Sequence, residues 1–263
     1  MKTTEIIRNG LVLLAFSVAI CFNSKAQELE LEPYLTPEDV ASSKTILPPP
    51  PEPGSVEFLV DEYYYFQSKL LRDTPRGLQA IEDAKMGETV LLQFEEAFGF
   101  RITQETMPAT FHLLMRSKEC FGSAGCNEAK EYYHRTRPFV FYGESSLTSW
   151  DDEWLMTNYS YPSGHSANFY GLACIMSALN PARQNELYLR AEDGAYSRVI
   201  AGCHWMSDIR AARVIALMVF SRLQSCPEYI EDYKLAKEEV DALVAAKSID
   251  WEDCLNTAGV VTQ

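Results

Sequence analysis

Tyr161-Pro162-Ser163-Gly164-His165 opens onto an apolar run over residues 167–179, which ends at Asn180-Pro181. Ser163 carries the short hydroxyl side chain that caps a helix, so the stretch reads as a helix over about 164–179. Working outward, the same punctuation recurs. Thr74-Pro75, Asn180-Pro181 and Cys226-Pro227 each place a proline where a helix takes its first residue. Phe58, Leu59, Glu62, Tyr65, Phe66, Lys69 and Leu70 form an amphipathic stripe at three- and four-residue spacing. Further helical stretches are expected over about 75–86, 88–98, 107–118, 126–136, 181–193, 205–224 and 227–246. No alternating strand, hairpin turn or internal repeat interrupts them. The expectation is an all-α, single-domain bundle over residues 55–263.

Two segments precede that domain. Residues 1–26 have the form of a secretory leader: Lys2 and Arg8, then an apolar run over 11–22, then Ser24-Lys25-Ala26 as a cleavage site. The run is short for a membrane span, and no later run reaches the roughly 18 apolar residues that one needs. Val18-Ala19-Ile20-Cys21 half-resembles a lipobox, with Ile20 too large for it, so processing before Cys21 is the rival reading. Residues 27–54 are acidic (Glu28, Glu30, Glu32) and then proline-rich (Pro48 to Pro51, Pro53). The prolines predict extended chain. It is either a linker or an arm packed on the domain through Ile46-Leu47. Periplasmic or secreted localisation follows from cleavage near Ala26.

The 263 residues carry a formal charge of −14, which argues against a nucleic-acid polymer as partner. Against that field a compact group of cations stands out. Of the seven cysteines, Cys21 leaves with the leader. Cys120 and Cys126 close a Phe-Gly-Ser-Ala-Gly loop whose glycines permit a tight bend, and they form a candidate disulfide. The cysteine spacings do not resemble a zinc site.

Three blocks carry the chemistry. Lys130 and Arg137 are seven apart, so on one helix they point within about 20° of each other, and Pro138 then ends that helix. Arg137 can grip two oxygens of an anion while Lys130 acts as a point charge. Ser163, with the free N–H groups and dipole of the helix that it caps, makes an anion site. Gly164 allows close backbone approach, and His165 beside the anion can donate a proton to a leaving oxygen. His204 and Asp208, four apart, share a helix face. The carboxylate fixes one ring nitrogen and leaves the other as a nucleophile. Arg198 adds a third cation. Singly, each block is more readily read as structural: a solvated basic face, an ordinary capped helix and an incidental ion pair. Jointly they supply what phosphoryl transfer requires.

In order and spacing the three blocks resemble the motif of the type 2 phosphatidic-acid-phosphatase (PAP2) superfamily. That superfamily includes bacterial class A non-specific acid phosphatases, glucose-6-phosphatase and vanadium haloperoxidases. The likeness to class A acid phosphatases extends to Ile46-Leu47-Pro48-Pro49-Pro50-Pro51, Arg72-Asp73-Thr74-Pro75-Arg76-Gly77, residues 133–142 and Ala195-Tyr196-Ser197-Arg198-Val199-Ile200.

The resemblance implies roles for the matching residues. Lys130, Arg137 and Arg198 bind phosphoryl oxygens, with Ser163 and Gly164 as further donors. His204 attacks phosphorus and becomes phosphohistidine. His165 protonates the leaving alcohol and then activates water, and Asp208 orients His204. It also implies small phosphomonoester substrates, no cofactor or metal, vanadate as an inhibitor that mimics the transition state, and phosphotransfer to alcohols. Relatives often self-associate, which leaves a homo-oligomer open.

Cys203 departs from the pattern, where an aromatic residue is expected, and so could alter the pocket wall. Tyr142 and Glu144 follow the first block and are candidates to reach the leaving group. The acids of Trp150-Asp151-Asp152-Glu153-Trp154 either cover the site mouth or lie in a solvated loop. Two alternative functions remain: a vanadium-dependent haloperoxidase, and a non-catalytic phosphate-binding envelope protein. The second would be expected to have lost the nucleophile or the acid, and His165, His204 and Asp208 are all present.

Overall fold

A computed structural model describes residues 31–257, and no β-strand occurs among them. The leader, Cys21 and the first acids of the arm lie outside the described residues. The helix at the centre is α10 (Gly164–Leu179), as expected, with Ser163 Oγ accepting from Ser166 N at 3.3 Å. Ala167, Phe169, Leu172, Ala173, Ile175 and Met176 are all fully buried. A helix that is apolar all round has to be enclosed, each large side chain contributing about 1.5–3 kcal/mol. The enclosing helices are α6 (Pro108–Glu119), α11 (Gln184–Ile200) and α12 (Met206–Leu223). Gly171 lets the chain after α6 come close, since a Cβ there would lie 2.4 Å from the Phe121 ring.

Outer elements brace this core. Helix α2 (Val56–Lys69) packs on α11 and α12, α3 (Pro75–Glu82) on α11, and α13 (Pro227–Thr257) on α6. Both early starts behave as the sequence predicts: Ser55 Oγ accepts from Phe58 N and Thr74 Oγ1 from Arg76 N. Helix α6 has no cap of its own. Glu239 on α13 supplies one, accepting from Ala109 N at 3.2 Å and from Thr110 N at 2.9 Å. The N-terminal segment is an arm, not a free linker. Tyr34, Leu35 and Leu47 are buried in the core, and the carbonyls of Lys44 and Leu47 accept from Tyr133 Oη.

Several expectations need correction. The stretch 88–98 is two short helices, Thr89–Leu92 and Glu95–Phe98, separated at Gln93 and Phe94. Asn180-Pro181 opens a single 3-10 turn, and α11 then runs past 193 to Ile200. The buried stripe of α2 is Phe58, Asp61, Tyr65 and Ser68, with Leu59 and Phe66 exposed. The largest change concerns 126–136. The helix Asn127–Tyr133 stops at His134, which adopts the left-handed conformation (φ 50°). Pro138 then begins the next helix, Pro138–Phe141, and forces Arg137 into extended backbone.

Cys120 and Cys126 are free thiols, not a disulfide. The segment Cys120–Ala124 widens into a π-helical turn that continues α6 instead of bending tightly. The two sulfurs donate to separate carbonyls, Arg116 O and Phe121 O, and burial pushes both thiols up, to about 11 and about 12.

Candidate active site

The turn after α11, the N-terminus of α10 and the segments on either side of His134 converge on one cavity of about 260 Å³, and Arg198, at the end of α11, is not among the residues lining it. Lys130, Arg137, Gly164, His165 and His204 all line it. A larger apolar cavity of about 730 Å³ lies between α10, α11 and α12 and holds none of the predicted residues. Lys130 and Arg137 do meet, but not on one helix. They arrive from the helix before His134 and from the cap of the helix after it.

Arg137 is buried, and its guanidinium is tied into the wall. Nε donates to Leu155 O and Asn158 O, Nη2 to Asn158 Oδ1 and Tyr159 O, and Nη1 to Cys203 O and to His204 Nε2 at 2.9 Å. Lys130 Nζ donates to Tyr159 O. Arg198 differs from both. It is fully buried, and none of its three guanidinium nitrogens has a hydrogen-bond partner among the described residues.

The geometry assigns the tautomer of His204. A guanidinium only donates, so Nε2 accepts from Arg137 and the ring proton sits on Nδ1. That N–H faces Asp208 Oδ2 at 3.2 Å. The nitrogen with the lone pair is therefore Nε2, held by Arg137, and both residues line the cavity. Asp208 is fully buried and closely held by Trp205 N at 2.8 Å, by the Ser160 hydroxyl and by Arg135 Nη1. Arg135 in turn donates to Asp61 Oδ2 at 2.7 Å, and Asp61 also accepts from Ser207 N at 2.8 Å. This is a buried chain from α2 through Arg135 to the start of α12.

His165 sits one residue into α10, and its Nε2 meets Ala84 O at 3.2 Å. A carbonyl only accepts, so Nε2 carries a proton and Nδ1 is the nitrogen left to exchange one. Ser163 is fully buried, with its hydroxyl against Ser166 N and Ser166 Oγ. It thus orders the helix terminus and is not among the residues lining the cavity.

Charge in this cavity is one-sided. Burial first, then Arg137, Lys130 and Arg198, hold His204 well below the ordinary imidazole range. Burial first, then Arg198 and His204, do the same to His165. Burial and Arg137 push Lys130 down to about 7. Every one of these shifts resists more positive charge, and a tetrahedral oxyanion in the cavity would relieve all of them.

Three candidates fall outside the site. Tyr142 stacks on Tyr65 with centroids 4.8 Å apart and donates to Glu62, while Glu144 is held by Tyr65 Oη and Lys69 Nζ. Neither lines the cavity, because the helix Pro138–Phe141 folds its far end onto the aromatics of α2. Cys203 is buried with Phe139, Leu155 and Ala201 and gives the site only its carbonyl. Of the 150–154 segment, Trp154 reaches the cavity mouth, while Asp152 accepts from Ser146 N.

Conversely, Arg135, Asp61, Ser160, Asn158 and Asn168 join the site without having been singled out. One signal was present for Asp61, a carboxylate at helical spacing between the apolar Phe58 and Tyr65.

Comparison with known proteins agrees with this geometry. The PAP2 superfamily profile matches residues 113–231, which contain all three blocks. The chain is 41% identical to a non-specific acid phosphatase of Providencia stuartii, over 78% of this chain and 84% of that one. It is 35% identical to a non-specific acid phosphatase of Salmonella typhi, over 80% and 85%. It is 28% identical to an acid phosphatase of Zymomonas mobilis, over 74% of each. Taken with the helical fold and the convergence of the blocks, these likenesses show that the chain belongs to the PAP2 superfamily, in its group of class A non-specific acid phosphatases.

Proposed function

We propose that this acid phosphatase hydrolyses phosphate monoesters in two steps through a phosphohistidine at His204, with no metal. The observation that carries the reading is Arg198, a buried guanidinium whose three nitrogens have no partner among the described residues and whose charge acts on both histidines. A buried cation of that kind calls for an anion with several oxygens. In the first step His204 Nε2 attacks phosphorus, the P–N bond forms and the P–O ester bond breaks. His165 Nδ1–H gives its proton to the leaving alcohol. In the second step neutral His165 takes a proton from water, whose oxygen attacks phosphorus as the P–N bond breaks. Phosphate leaves and His204 returns neutral. An alcohol in place of that water gives phosphotransfer.

Asp208 keeps Nδ1–H aimed throughout. Lys130, Arg137, Arg198 and the α10 terminus take up the charge of the equatorial oxygens, the task that other phosphoryl-transfer enzymes give to magnesium. His165 must be protonated while His204 is neutral. The approaching phosphoryl dianion favours a proton on His165, and acid pH supports the same state. Vanadate should occupy the cavity as an inhibitor. The leader-like residues 1–26 support export to the periplasm or beyond.

The test is hydrolysis of a chromogenic aryl phosphate at pH 5–6 with and without EDTA. Activity should survive chelation, fall to background in His204→Ala, and leave an acid-labile, base-stable phosphoenzyme after rapid alkaline quench. Activity retained in that variant, or lost to the chelator, would falsify the mechanism.

A further inference from the structure

Lys130, Arg137, His204 and the α10 terminus occupy the phosphoryl end of the cavity, so its remaining wall has to meet the alcohol. That wall is mixed: Met86, Trp154 and Leu155 give it apolar surface, and Glu119, Ser123, Asn127 and Asn168 give it polar groups. Asn168 lies three residues after His165 on α10, hence on the same helix face, with a side chain that leans back toward the helix start. It therefore stands next to the imidazole that serves the leaving oxygen. The residue is only 8% exposed, and its Oδ1 has no hydrogen-bond partner among the described residues. Gly122 gives the amide its place, because a Cβ there would come within 2.9 Å of both amide atoms.

A buried amide oxygen beside a cavity is costly to leave unpaired, and a ligand that donates to it gains selectively over one that cannot. We propose that Asn168 Oδ1 accepts from a hydroxyl on the alcohol part of the substrate, so that the site favours phosphate esters of polyhydroxylated alcohols over simple alkyl esters. Trp154, 58% exposed and lining the cavity, adds apolar surface for the C–H groups of such an alcohol. This rests on the phosphatase reading above.

The test compares kcat/KM for glycerol 1-phosphate and propyl phosphate, which differ only in hydroxyl groups. Wild type should favour the glycerol ester. Asn168→Leu should lower that ratio about fivefold, mainly through KM. Gly122→Ala, which pushes the amide aside, should lower it too and serves if the leucine variant does not fold. A ratio unchanged in folded variants overturns the assignment of Asn168. Wild-type protein that hydrolyses neither ester would instead sink the phosphatase reading beneath it.

Discussion

Lys130 changes character with pH. With burial and Arg137 pushing it down to about 7, its ammonium is present below pH 7 and is lost as pH rises past that value. A bound dianion favours the charged form, so binding above pH 7 has to take up a proton. Sulfate stays a dianion throughout, which isolates the effect. Its affinity, followed as competitive inhibition, should be highest below pH 7 and weaken by up to about tenfold per unit above it. In Lys130→Arg the decline should flatten. Equal affinity at pH 6 and pH 9 would contradict the assignment.

The histidines were legible because Asp208 stands at helical distance from His204 and Ser163 marks the helix start at which His165 stands. Arg135 was not. It lies between His134 and Arg137 in a basic cluster, and nothing local separates a solvated arginine from one that bridges two buried carboxylates.

Between elements, that bridge joins α2 to α12 through the segment linking the helices on either side of His134. Removing its cation leaves Asp61 and Asp208 buried with hydrogen-bond donors but without the guanidinium that balances their charge. Arg135→Met should therefore cost about 3–5 kcal/mol in urea denaturation. Adding Asp61→Asn should return part of that stability, since one unmatched charge disappears, while kcat stays low because Asp208 still lacks its partner. Equal stability of the single and double variants would argue against a shared network. The segment also shows where spacing misleads. Seven residues on an uninterrupted helix would align Lys130 with Arg137, and they do reach one cavity. They get there because the chain leaves the helix at His134 and restarts at Pro138. Periodicity reports which side chains share a face. It does not report the turn that carries a chain from one helix to the next, and that turn also takes Tyr142 and Glu144 away from the site.

Across the whole molecule, all-helical architecture was readable from proline and cap positions, and α10 was placed correctly at both ends. The packed course of the arm was not, because proline-rich sequence specifies extension and not destination. Tyr34, Leu35 and Leu47 bury their side chains against the core, and Tyr34 Oη bonds Asp232 on α13. Deleting residues 31–47 should therefore lower the melting temperature by more than about 5 °C. An unchanged melting curve would show that the arm adds nothing to the fold.

A guanidinium that finds no partner of its own among the described residues makes no distinction between an ester about to be cleaved and the orthophosphate left afterwards. On the mechanism proposed above, Arg198 would attract both. Such a catalyst would linger on its own product, and its turnover would be tied to how quickly phosphate is carried off. Scarce phosphate would then leave the cavity open for the next ester, and accumulated phosphate would act as a brake on its own release.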